Sequence, residues 1–121
     1  MLLARVTAAL LAAAALAGCG EAEPAAQARG GQVAVALDDF LIRPQNVRAS
    51  AGELTFEAVN EGRLGHNLRV RGPDGEPVAI PTLLPGRSGR ETVRLEPGEY
   101  KMLCTVANHE QLGMTGRLVV R

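Results

Sequence analysis

The chain has 121 residues, 13 of them Lys or Arg and 13 Asp or Glu, for a formal net charge of zero. That length suits one domain, and with neither sign in excess there is no electrostatic basis for nucleic-acid binding. Two cysteines exclude a disulfide-stapled scaffold, a 46% hydrophobic fraction excludes a disordered chain, and two Phe and one Tyr leave no stacking platform for single strands or sugars.

Residues 1–18 read as a secretory signal peptide, with one charge at Arg5, an apolar run from Val6 to Leu16 and small residues after it. The run is shorter than the roughly 20 residues a membrane-spanning helix needs. Leu16-Ala17-Gly18-Cys19 resembles the bacterial lipobox, which implies that Cys19 is acylated and becomes the mature N-terminus. An ordinary signal peptide with an incidental cysteine, or a short core helix, are the rival readings. Acyl chains on Cys19 would hold the protein at a membrane, with its domain outside the cytoplasmic membrane on the periplasmic or cell-surface side. Residues 19–31 then comprise the lipidated cysteine and a flexible tether, GEAEPAAQARGG, which lacks apolar periodicity. Fully extended, that tether would reach about 40 Å. Loss of Arg5 on cleavage leaves 12 basic and 13 acidic residues, so the mature chain stays near neutral.

Residues 32–121 form the domain. Strand patterns lie at 33–37, 40–42 and 54–59, the last alternating apolar and polar residues through Leu54, Phe56 and Ala58. A turn is expected around Pro44. Further strands are expected at 66–70, 92–95, 100–104 and 116–120, with turns at Gly72-Pro73-Asp74-Gly75 and Pro97-Gly98. No stretch after residue 31 sustains helical periodicity over three turns. Seven or eight short strands punctuated this evenly predict an all-β Greek-key sandwich.

Against that background four side chains stand out: His66, Cys104, His109 and Met114. They include both histidines of the chain and its one cysteine besides Cys19. Cys104, His109 and Met114 share one loop with four residues between each pair, while His66 lies 38 residues before Cys104. A sandwich can bring two such loops together at one end. Thiolate, two imidazoles and a thioether suit copper, in a trigonal electron-transfer site with a weak axial Met. Zinc favours further Cys, His or carboxylate ligands, and calcium or magnesium would need an oxygen cage.

Residues 97–116 (PGEYKMLCTVANHEQLGMTG) resemble the C-terminal copper loop of the cupredoxins, and Gly65-His66-Asn67-Leu68 resembles the loop carrying their first histidine. The four-and-four spacing is similar to rusticyanin and sulfocyanin rather than plastocyanin. Gly52-Glu53-Leu54-Thr55-Phe56 and Val59-Asn60-Glu61-Gly62 resemble the strand before that first loop. Ala107-Asn108 stands where relatives of this spacing often have Pro-Gly, and Asn is suited to a left-handed turn.

The resemblance implies one type 1 copper ion held by the Cys104 thiolate, the His66 and His109 imidazoles and a long Met114 contact. It implies a backbone N–H bond from Asn67 to the Cys104 sulfur, and an Asn67 side chain that pins the two loops together. It also implies that His109 is the electron port, within an apolar patch for which Leu64, Leu83, Leu84, Pro85 and Leu112 are candidates, with ordinary core as the rival reading for each. With no nucleophilic triad, no paired carboxylates and four protein ligands, a carrier is expected rather than an enzyme. Its partners would be redox proteins, membrane-bound or periplasmic, and the chain itself a monomer. A copper chaperone, store or sensor, or a metal-free β-sandwich interaction module, are the alternatives. No disulfide is expected between Cys19 and Cys104.

Overall fold

The computed structural model describes residues 24–121. The signal segment and Cys19 therefore lie outside the described residues. Within them the chain is all β: β1 (Ala26–Gln27), β2 (Gln32–Asp38), β3 (Leu41–Arg43), β4 (Asn46–Ala49), β5 (Gly52–Asn60), β6 (His66–Gly72), β7 (Gly75–Leu83), β8 (Ser88–Leu95), β9 (Gly98–Leu103) and β10 (Thr115–Val120). They form a six-stranded sheet in the order β1-β4-β10-β9-β6-β7 and a four-stranded sheet in the order β3-β2-β5-β8. Parallel pairs of β2 with β5 and of β4 with β10 mark the chain crossing between sheets, as a Greek-key sandwich requires. No helix of the described residues is long and apolar enough to cross a membrane.

Strand alternation builds the core. On β2, Val33, Val35 and Leu37 turn inward, and on β5 Leu54, Phe56 and Ala58 do the same. The opposing sheet contributes Leu68, Val70, Val78, Ile80, Met102 and Leu118, all buried. Phe56 is the one fully buried benzene ring. Tyr100 is buried too, and its hydroxyl donates to the Glu96 carbonyl at 2.8 Å. Aliphatic side chains supply most of this core, which accommodates the low aromatic content.

Ten strands replace the seven or eight expected. β7 contains Pro77 and Pro81, which argue against a strand in the middle of a sheet, but β7 is an edge and pairs with β6 alone. β4 is four residues long, too short to show a period. β1 falls inside the expected tether: Ala26 and Gln27 pair in parallel with Val47 and Arg48, and Ala28 N–H donates to the Arg48 carbonyl at 2.8 Å. Among the described residues, pairing in the six-stranded sheet starts at Ala26.

Two registers position the site. β9 and β10 pair antiparallel from Leu103↔Thr115, so the intervening 104–114 loop closes over one end of the sandwich. β6 and β9 pair antiparallel with Arg69 opposite Leu103. Running β6 backward and β9 forward from that pair brings the start of β6, at His66, beside the residues just past β9.

Candidate metal centre

His66, Cys104 and His109 converge at that end, all three buried. His66 Nδ1 lies 3.2 Å from His109 Nδ1, and Cys104 Sγ lies 4.0 Å and 3.7 Å from these nitrogens in turn. A point equidistant from the three atoms lies about 2.1 Å from each, a first-row metal's bond length to imidazole and close to that to thiolate. The donor set therefore fits an ion of that size. Met114 is fully buried and tied to the same loop: its N–H donates to the His109 carbonyl at 3.1 Å, and its own carbonyl accepts from Cys104 N–H at 3.2 Å. Cys104 is a free thiol.

The loop is wound tightly enough to aim His109 inward. His109 N–H donates to the Val106 carbonyl at 3.0 Å, and Gly113 N–H to the Glu110 carbonyl at 3.0 Å. Lys101 Nζ reaches from β9 to Glu110 Oε1 at 2.7 Å, and this bond holds the Glu110 carboxyl below the usual carboxylate range. The left-handed residue is Ala107 (φ 44°) and not Asn108. The expected turn is present, one residue earlier, on a side chain less suited to it.

On the other loop, Asn60 is the organising residue. It is fully buried at the end of β5, and its Nδ2 donates to the carbonyls of Leu64 and Leu83, both at 2.8 Å. Its Oδ1 accepts from Gly62 N–H at 2.9 Å. A buried amide saturated in this way fixes the 61–65 segment that delivers His66. Asn67 joins the two loops: Nδ2 donates to Thr105 Oγ1 and Oδ1 accepts from Thr105 N–H, both at 2.8 Å. The Cys104 thiol has both imidazole Nδ1 atoms within 4.0 Å.

The turn joining β2 to β3 supplies two groups that the sequence reading does not anticipate. Asp39 Oδ1 lies 2.7 Å from His66 Nε2. The carboxylate also accepts from Arg63 N–H at 3.1 and 3.0 Å and from Leu64 N–H at 3.2 Å. The His66 bond, followed by these backbone donors, holds the Asp39 carboxyl below its usual range. An ionised carboxylate only accepts, so the His66 Nε2–H donates to it, and Nδ1 faces Cys104 and His109. Phe40 follows at φ 65° and sets its ring edge-on to His109, with centroids 5.0 Å apart at 71°. Burial holds His109 below the usual imidazole value, and the neighbouring His66 adds to this while Asp39 opposes it.

Of the candidate patch residues, Leu83 is core. Leu64, Leu84 and Leu112 are exposed, at 46%, 66% and 51%, and Pro85 is exposed as well. Each sits on a loop at the ligand end: Leu64 two residues before His66, Leu84 just after the His66↔Leu83 pair, and Leu112 between His109 and Met114.

No protein-family model and no curated protein matches the chain. Solved structures do. The reduced auracyanin of the photosynthetic bacterium Roseiflexus castenholzii aligns with a TM-score of 0.70 at 20% identity, covering 76% of this chain and 98% of that one. Auracyanin A, a "blue" copper protein from the green thermophilic photosynthetic bacterium Chloroflexus aurantiacus, aligns at 0.63 with 20% identity, covering 75% and 100%. A purple cupredoxin from Nitrosopumilus maritimus aligns at 0.55 with 18% identity, covering 73% and 98%. This chain has the cupredoxin fold.

Proposed function

We propose that the chain is a carrier of single electrons that holds one copper ion in a type 1 centre. The observation that carries this reading is the buried triangle of Cys104 Sγ, His66 Nδ1 and His109 Nδ1, whose size fits one metal ion. Cys104, His66 and His109 would hold the copper, with Met114 as a weak axial ligand. Zinc takes thiolate and imidazole as readily but is not held by a thioether, so the full set with Met114 suits copper. Copper bound there supplies a one-electron couple between Cu(I) and Cu(II).

The protein's contribution is rigidity and access. Asn60 and the Asn67–Thr105 pair hold both ligand loops in fixed positions, which keeps rearrangement on electron transfer small. Burial of His66, Cys104 and Met114 excludes water. His109 keeps 6% exposure and is the ligand nearest to an electron port. The exposed leucines on the loops at the same end support docking of redox proteins through an apolar contact. Acylated Cys19 would tether the domain outside the cytoplasmic membrane, as a monomer serving membrane-bound or periplasmic donors and acceptors.

Copper titration of the purified protein tests this. Intense visible thiolate-to-copper absorption, bleached by a reductant and restored by an oxidant, is the expected result, and Cys104→Ala should abolish it. Binding of Cu(I) alone with irreversible bleaching would move the assignment to copper handling, and no binding would leave a metal-free interaction module.

A further inference from the structure

Asp39 has no role in the ligand set, yet three elements converge on its carboxylate. The β2–β3 turn presents it, the 61–65 loop donates Arg63 and Leu64 N–H to it, and His66 at the start of β6 donates Nε2–H. Gly62 leaves room for the contact. A Cβ there would stand 2.8 Å from His66 Nε2 and closer still to Asp39 Oδ1, so any side chain would push into the pair. The backbone donors hold the carboxylate in place independently of the imidazole. It is therefore a fixed charge rather than a mobile surface group.

Resting on the copper reading above, we propose that Asp39 is a positioning residue that lowers the reduction potential of the centre. A carboxylate accepting the outer N–H of a ligating imidazole fixes its tautomer and raises its basicity. Charge works in the same direction. Cu(II) with one thiolate and two neutral imidazoles carries one net positive charge, and Cu(I) with the same ligands carries none. With Asp39 included, the oxidised site becomes neutral and the reduced site acquires one negative charge. The carboxylate thus favours loss of the electron, and it acts through His66.

Asp39→Asn separates charge from shape, because the amide oxygen can still accept from His66 Nε2–H. Redox titration of the copper-loaded protein should show the visible band retained and the midpoint raised. A tenfold greater loss of affinity for Cu(II) than for Cu(I) corresponds to a rise of about 59 mV for one electron. A second measurement needs no variant: nitrogen-15 NMR of the Cu(I) wild type should show a slowly exchanging His66 Nε2–H proton. A coloured wild type whose Asp39→Asn variant has an unchanged or lowered midpoint, or a Cu(I) wild type lacking that proton, overturns this inference alone. A wild type that forms no coloured centre overturns the copper reading and this inference together.

Discussion

At the scale of single residues, the site is a set of buried polar groups each held by a named partner. Asn67 shows what such a partner is worth. Its amide exchanges two 2.8 Å hydrogen bonds with Thr105, and both cross the seam between the ligand loops. Asn67→Ala leaves the Thr105 N–H and hydroxyl without these partners and should cost about 1–3 kcal/mol of stability. Denaturant unfolding checks this, as a lowered midpoint with unchanged slope. Met114 is a different kind of residue, fully buried and bonded to its neighbours through its backbone alone. Met114→Leu preserves volume and those backbone bonds while removing the thioether. Copper should stay bound and the reduction potential should rise, since the weak axial ligand tunes it. A redox titration that found the potential unmoved would place the sulfur outside the metal's reach. Two strained residues frame the same site. Phe40 and Ala107 are the non-glycine residues with positive φ among those described, and one packs on His109 while the other lies two positions before it. Strain held at a ligand marks a position that the surrounding structure over-determines.

At the scale of elements, the β2–β3 turn carries more of the site than its length suggests. Asp39 meets His66 and Phe40 meets His109, so two adjacent residues brace the two imidazoles. In the metal-free protein this turn should also give stability a pH dependence. The Asp39 carboxyl is held below its ordinary value of 3.8 in the folded state, so the folded state binds its proton less readily than the unfolded one. Its contribution is complete above the ordinary value and disappears as pH falls through the lower folded one. Denaturant midpoints of the metal-free wild type and Asp39→Ala should differ at pH 7 and converge below pH 4; a constant gap would show that the charge contributes nothing. The sequence discloses His66, Cys104, His109 and Met114 because these residue types are scarce and their spacing is regular. It conceals Asp39 because one Asp in a turn beside another looks like any solvated turn, and only the fold brings it against a residue 27 positions later. Strands with a clear period-2 burial, such as β2 and β5, were legible. The edge strand β7, carrying two prolines, was not, and neither was the two-residue β1, whose pairing depends on β4 being in place.

At the scale of the whole molecule, the two ends of the sandwich differ in kind. Both ligand loops, the β2–β3 turn and the exposed leucines 64, 84 and 112 lie at one end. The opposite end holds the β6–β7 and β8–β9 turns, with Tyr100 packed over Gly72. For the carrier proposed above, the exposed leucines at the ligand end would form the contact surface, and a chain of zero formal net charge offers no net attraction to steer a partner to it. Association should therefore depend on short-range desolvation of the leucines, and the rate of electron exchange should respond little to ionic strength. Leu84→Lys is the sharper test, because Leu84 is 66% exposed and a charge there costs the fold little. It should leave the visible spectrum, the reduction potential and the unfolding midpoint where they are. Exchange with a protein partner should slow severalfold while exchange with a small inorganic oxidant stays near the wild-type rate. An equal effect on both oxidants would trace the change to the metal centre, and no effect on either would remove Leu84 from the docking face.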